Sequence, residues 1–354
     1  MPVSLRSKIG CWMNERWRAE AAMMPLVSRM LGIRWQDLHN RNERTQRDPI
    51  TNGLVCDFAD TQPLTINRIF PQVGTRLFHH VFGHNPLRFA RKINEQPNPK
   101  ISFIVGIRGL GRLPQFISCI ESIMGQEACP IEVIVVEQSW QQQVPSHLGD
   151  GVRYQYSKPP AQDTKYNRSW ALNVGARAAR GEILVLQDAD FVLPANFAHS
   201  VAKLFETGIQ ACRLARLIFY LDQETSDRVQ REREIGFVSS LEMILQNART
   251  PIAVRRDAYF EIGGHDESFV GWGGEDVEFI QRARTLNFAE GSTQPIIHLW
   301  HESAPQKASG HRNQTLQDQR CQVPVEQRID SLTGFDMGGD SPIILDDTGR
   351  QVPG

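Results

Sequence analysis

The chain has 354 residues, 40% of them hydrophobic and 22% charged, a globular composition that excludes disorder throughout and suffices for one large domain with extensions or two ordinary ones. Thirty-nine basic and forty acidic residues leave a formal charge of −1, so no chain-wide positive field points to nucleic acid or an anionic membrane. Arg far outnumbers Lys; its planar fork of donors suits phosphates and carboxylates, which makes an Arg beside a phosphate-binding motif the informative case.

Residues 1–20 interrupt every short apolar stretch with charge and lack the apolar core of a signal peptide. No segment approaches the roughly 20 apolar residues that span a bilayer. Cysteines 11, 56, 119, 129, 212 and 321 form no CxxC pair and no zinc-type spacing, so they read as thiols in a reducing, cytoplasmic setting. Residues 1–98 show no clean period, with a helix expected around Ala21–Leu31. The run NEQPNPK, Asn94–Lys100, reads as a linker. The expected division is an N-terminal extension over 1–98, a catalytic domain over 99–305 and a polar tail over 306–354.

From Ile101 the pattern alternates: a strand ISFIVGI, a helix over Leu113–Met124 and a strand over Glu132–Glu137. This β-α-β opening predicts an α/β fold, a Rossmann-like mixed sheet flanked by helices. A short strand follows at Val152–Tyr156, then a helix over Ser169–Arg180 stopped by Gly181. The buried run Glu182–Leu186 exits into Gln187-Asp188-Ala189-Asp190, and in open α/β sheets ligands gather at such carboxyl ends. Pro194 starts another helix, Asp222–Glu234 reads as a solvated loop, a helix begins near Glu275, and PIIHLWH is a late strand. No internal repeat is present.

Four constellations carry chemistry. Asp188 and Asp190, two apart in extended backbone, point to one side, and hard divalent cations such as Mg2+ or Mn2+ take such oxygens; strand-end turns also use aspartates to bond local amides. In VGWGGED, Gly271, Gly273 and Gly274 let the backbone approach a ligand and Trp272 offers a flat apolar face. Glu275 and Asp276 fall in the first helical turn, where they complement the helix dipole or supply a rigidly held general base. His298 and His301 suit manganese or zinc, both on one ion only if the chain turns between them. Finally, Gly106–Arg112 has its glycines in the wrong order for a dinucleotide loop, which leaves Arg108 and Arg112 as pyrophosphate ligands at a strand exit.

Taken in order, ISFIVGIRGLGR from Ile101, EVIVVEQ from Glu132, YNRSWALNVGARAARGEILVLQDADFVLP from Tyr166 and GGHDESFVGWGGEDVEF from Gly263 resemble the nucleotide-sugar glycosyltransferases of the GT-A fold. The likeness is nearest to the β-1,4-galactosyltransferase type, with motifs approximately FRNR, VINQ, FNRAxLLNVG, DVDxxP and WGWGGEDDD. Polypeptide N-acetylgalactosaminyltransferases and bacterial family 2 enzymes share parts of it. It covers roughly residues 100–305.

The resemblance implies donor contacts from Arg108, Arg112, Glu137, Tyr166, Arg168 and Asp188. It implies a metal, Mn2+ or Mg2+, on Asp190 with His298, His301 or both, Asp188 standing beside them as a further candidate. It places Trp272 and Gly274 at the sugar or acceptor boundary. Asp276 becomes the general base with Glu275 beside it, and Asp rather than Asn after the WGGE glutamate points to inversion. Three departures stand out: IRGLGR is longer than FRNR, Gln alone follows Glu137, and GGEDVEF lacks part of the acceptor-side acid cluster.

The expected activity is metal-dependent sugar transfer from a nucleotide diphosphate sugar, UDP-linked, to a hydroxyl acceptor. That acceptor is a saccharide, a lipid-linked sugar, a peptide or a small metabolite. Two alternatives stay open: a nucleotidyltransferase on a similar sheet, or a non-catalytic module that binds sugar or nucleotide.

Overall fold

The computed structural model describes residues 4–56, 62–302, 310–346 and 350–352. At the N-terminus, α1 (Leu5–Cys11) and α2 (Trp17–Met23) join through a π-helical turn, Trp12–Arg16, and α3 spans Pro25–Leu31. The helix expected over 21–31 is therefore broken at Met24. Pro25 has no N–H and disfavours helical backbone before it, yet suits the first position of a new helix. Helix α4 (Pro71–His84) buries Leu77, Phe78, Val81 and Phe82 at i, i+1, i+4 and i+5.

Residues 101–107 form β1, followed by α5 (Leu113–Met124), β2 (Ile131–Glu137), β3 (Arg153–Tyr156), α6 (Arg168–Ala178) and β4 (Ile183–Gln187). After β4 come β5 (Phe191–Val192), α7 (Phe197–Phe205), β6 (Ala211–Arg213), β7 (Ala215–Tyr220), α8 (Gln223–Glu232), β8 (Met243–Gln246) and β9 (Ile252–Arg255). Further along the chain are α9 (Glu275–Ala283), β10 (Phe288–Ala289), β11 (Gln294–His298), α10 (His311–Gln322) and α11 (Val325–Thr333).

Seven strands make the main sheet in the order β10-β6-β9-β4-β1-β2-β3. Strands β4, β1, β2 and β3 are mutually parallel, while β9 runs antiparallel to both neighbours. Continuous apolar runs such as ISFIVGI and ILVL suit this setting because helices cover both sheet faces. One face packs Phe116, Ile120 and Ile123 of α5 with Phe197 and Val201 of α7. The other packs Ala171 and Leu172 of α6 with Phe279 and Ile280 of α9. The expected mixed sheet flanked by helices is thus present.

A second sheet joins the short strand 62–63 to β8, β7, β11 and β5 in that order. Its apolar residues Leu217, Phe219 and Ile297 share one core with Cys11, Ala19 and Ala22 of the N-terminal helices and with Leu77 and Phe78 of α4. Arg216, fully buried, donates to the carbonyls of Gln36 and Leu38 and ties the early chain to β7.

Two expectations are corrected. Asp222–Glu234 is mostly helix: the Asp222 side chain accepts from the Thr225 N–H at 2.8 Å as an N-cap, and Val229 is buried. Where a polar tail was expected, α10 and α11 pack on α9; residues 303–309 lie outside the described residues. Arg320 of α10 donates to Asp266 at 3.0 Å, and Arg328 of α11 to Glu278 at 3.3 Å.

Candidate functional site

Register places the site. Ile107 pairs with Glu137 and Val105 with Gln187, so β1, β2 and β4 end nearly level. Beyond β4 the chain turns through 188–190 and enters β5 of the second sheet, where Phe191 pairs with His298. The Leu299 N–H then donates to the Asp190 carbonyl at 2.9 Å. Residues 188–190 therefore bridge the two sheets at the carboxyl edge of the first.

Asp190, His298 and His301 each present a ligand atom, all within 4.8 Å of one another. Strand β11 ends at His298, and the chain leaves the strand before His301, so both rings reach Asp190. Nε2 of His301 lies 3.1 Å from Asp190 Oδ2, and Nε2 of His298 lies 3.9 Å from Oδ1. Nδ1 of His301 stands 2.8 Å from the Glu302 carbonyl. A carbonyl only accepts, so Nδ1 carries a proton and donates to it, which leaves Nε2 as the ring atom facing the carboxylate. One carboxylate with two imidazoles, their ligand atoms converging, is a donor set that Mn2+ accepts. Nδ1 of His298 is buried without a hydrogen-bond partner among the described residues, and the ring stacks on Tyr220 at 4.1 Å. Burial pushes the His298 pKa down despite Asp190, which favours the neutral, ligating form. Burial raises the Asp190 pKa, but His301, His298 and Arg112 prevail and hold it at about 2. The residues present fit a divalent ion.

Beside this group Arg168, at the start of α6, gathers the other acids. Its Nε donates to Asp188 Oδ1 and its Nη1 to Asp276 Oδ1, both at 2.8 Å, with Glu275 Oε1 3.9 Å away. Burial opposes its charge, but Asp188, Asp276 and Glu275 raise its pKa. Burial, then the Asp276 charge, push the Glu275 pKa up to about 7; burial raises Asp276 too, against Arg168. Arg168 Nη2 and Glu275 Oε2 are buried polar atoms without partners among the described residues.

Backbone extension through the acid pair does not hold. Residues 189–190 form a turn, so the two carboxylates diverge. Asp188 is engaged by Arg168 and by the Thr250 hydroxyl at 2.8 Å, and it stands outside the Asp190 group. Arg112 Nη1 donates to Asp190 Oδ2 at 3.1 Å. Arg108 instead donates to the carbonyls of Thr164 and Gln162 and so holds the 162–164 loop. Glu137, expected as a donor contact, is fully buried and accepts from the Gln143 and Val144 amides and the Tyr154 hydroxyl. Its carboxylate is consumed in shaping the loop after β2.

Tyr166 lies over β1, and a Cβ at Gly106 would run into its hydroxyl, so a larger residue there would displace the ring. The Tyr166 carbonyl accepts from Gly271 at 2.9 Å, which sets the glycine loop beside the acids. Gly274, at φ 91°, begins α9 against the Phe269 ring and aims Glu275 and Asp276 inward. Trp272 is half exposed on that loop. Two residues escaped sequence reasoning: Thr250, 62 positions from Asp188, and Tyr220, at the end of a strand that gives no motif signal.

Among curated proteins, human chondroitin sulfate N-acetylgalactosaminyltransferase 2 is 28% identical over 158 residues, 39% of this chain and 27% of that protein. Its mouse counterpart is 27% identical over 40% of this chain and 27% of its own length. The matched stretch thus spans about a quarter of these relatives. Among solved structures, the catalytic domain of Drosophila β1,4-galactosyltransferase 7 complexed with xylobiose aligns at 17% identity and TM-score 0.34, covering 60% of this chain and 79% of that one. Mycobacterium tuberculosis glucosyl-3-phosphoglycerate synthase, complexed with Mn2+, UDP and glucosyl-3-phosphoglycerate, aligns at 17% identity and TM-score 0.42, covering 68% and 89%. The family model "Glycosyltransferase like family 2" matches residues 119–313, more than half the sequence, and the chain belongs to that glycosyltransferase family.

Proposed function

We propose that the chain transfers a sugar from a UDP-sugar to a hydroxyl acceptor, with inversion, using Mn2+ or Mg2+ on Asp190, His298 and His301. The observation that carries this reading is the convergence of Asp190, His298 and His301, their ligand atoms within 4.8 Å of one another, beside an Arg168 clamp that fixes Asp188 and Asp276. When bound, the cation neutralises charge on the leaving diphosphate. Arg112, next to Asp190, adds a second positive group on the same side. Asp276 takes the acceptor proton as the acceptor oxygen bonds to the anomeric carbon and the bond from that carbon to the diphosphate breaks. Arg168 keeps Asp276 pointed inward, and its unpartnered Nη2 is a donor for the nucleotide or sugar. Trp272 and Gly274 border the sugar and acceptor.

Family membership favours this transferase over the nucleotidyltransferase and binding-module readings. The catalytic unit is assigned to 99–305 and the N-terminal extension to 1–98, with the acceptor a saccharide, lipid-linked sugar, peptide or small metabolite. Six cysteines without a disulfide support a reducing, cytoplasmic setting, and no helix among the described residues is long and apolar enough to cross a membrane. A donor panel begins with UDP-N-acetylgalactosamine, after the names of the curated relatives. NMR of the product reads the anomeric configuration: inversion is expected, and retention removes Asp276 from the role of base.

A further inference from the structure

Nine of the fourteen large apolar side chains exposed among the described residues lie between Leu5 and Leu31. They are Leu5, Ile9, Trp12, Met13 and Trp17 on the continuous helix from α1 to α2, and Met24, Leu26, Met30 and Leu31 at α3. The opposite side of the first helix, through Cys11, Ala19 and Ala22, is packed into the core. The outward stripe is therefore displayed by a rigid support.

Charge on this segment departs from the rest of the chain. Residues 1–34 hold six basic and two acidic residues, a local net charge of +4 in a chain of −1. At about 100° per residue, Leu5, Ile9, Trp12 and Met13 occupy a sector of about 100°, with Arg6 and Lys8 on its two edges. Arg6, Lys8 and Arg29 are exposed, whereas Glu15 is buried and Glu20 is paired with Arg16 and Arg76. An apolar stripe with Trp, bordered by long cationic side chains that extend toward headgroups, is the pattern of a helix lying in a bilayer interface.

We propose that α1–α3 form a docking surface for an anionic lipid bilayer, which the chain binds from one side without crossing it. A second copy is the poorer occupant, because a two-fold contact sets the same cationic edges against each other. The proposal goes beyond the transfer reaction and does not depend on it.

Flotation of the full chain with vesicles of phosphatidylcholine, with and without about 30% phosphatidylglycerol, tests it. Binding is expected only with the anionic lipid, with a blue shift of Trp fluorescence and release by about 0.5 M salt. Trp12→Ser with Met13→Ser is expected to weaken binding at least tenfold, roughly. Arg6→Ser and Lys8→Ser, which leave the apolar stripe intact, are expected to cost about fivefold each. Equal binding to neutral vesicles, or no binding by a chain that melts normally, overturns the proposal. So does a dimer that the Trp12 and Met13 substitutions dissociate while vesicles are ignored.

Discussion

Asp190 sits where two imidazoles and a guanidinium converge, and each makes a separate demand on it. Replacing it with Ala removes the only carboxylate of the Asp190–His298–His301 group and leaves Arg112 without that partner. Activity of Asp190→Ala is expected to fall at least about a hundredfold, with Mn2+ no longer stimulating it; full metal-stimulated turnover excludes this site. Asp276→Asn keeps the size of the side chain but removes the base, and kcat is expected to fall by roughly 10²–10⁴ at unchanged folding. Glu275 and Asp276 are both raised by burial, Glu275 to about 7. Ionised Asp276 is the active form and burial raises its pKa, so kcat/KM is expected to decline with falling pH above the range of an ordinary aspartate, tending toward tenfold per pH unit. Arg168→Lys gives up the fork that spans Asp188 and Asp276, and the acid limb is expected to move to higher pH. A pH profile of the variant superimposable on that of the parent contradicts this role for Arg168. The acids, His298, His301, Arg112 and Arg168 were legible in sequence because each stands at a motif with a defined place on the sheet. Glu137 and Arg108 were legible as charged residues at strand exits, but not as loop anchors, since the amides and carbonyls that engage them belong to loops whose path no local pattern encodes.

Elements of the parallel core, β1, β2 and β4 with α5 and α6, follow from apolar runs and helical spacing in the sequence. The short strands β6, β8, β9 and β10 do not, because runs of two to four residues carry little periodicity. Helix α8 was hidden by its charge, because Val229 and Ser226 bury only a narrow strip. The C-terminal helices were hidden by polarity of another kind. Arg320 and Arg328 read as solvated but are buried against Asp266 and Glu278. Glu267, beside Asp266, accepts from the Gly338 and Ile343 amides, both at 2.6 Å. The GHDESF stretch thus fastens the C-terminal segment under the glycine loop. Arg320→Ala leaves Asp266 buried and unpaired, a loss of about 3–5 kcal/mol. Limited proteolysis is expected to cut such a variant first within 310–346. Cleavage kinetics and melting temperature matching the parent protein count against this anchoring.

At the level of the whole molecule, near-zero net charge conceals two local concentrations. One is the carboxylate cluster of Asp188, Asp190, Glu275 and Asp276 with its arginines at the seam of the two sheets; the other is the cationic, apolar N-terminal helices. Chain-wide charge averages over these regions, since many acidic residues lie elsewhere, some in buried pairs such as Glu278 with Arg282. The second sheet supplies His298 and leads into His301, so the Asp190–His298–His301 group exists only when both sheets are assembled. The most direct test of the account is a titration of UDP into the full chain by calorimetry, with and without Mn2+, repeated on Asp190→Ala. The account predicts tight binding only when the metal is present and loss of that dependence in the variant. Equal UDP affinity with and without Mn2+, or metal-dependent binding that survives Asp190→Ala, contradicts it.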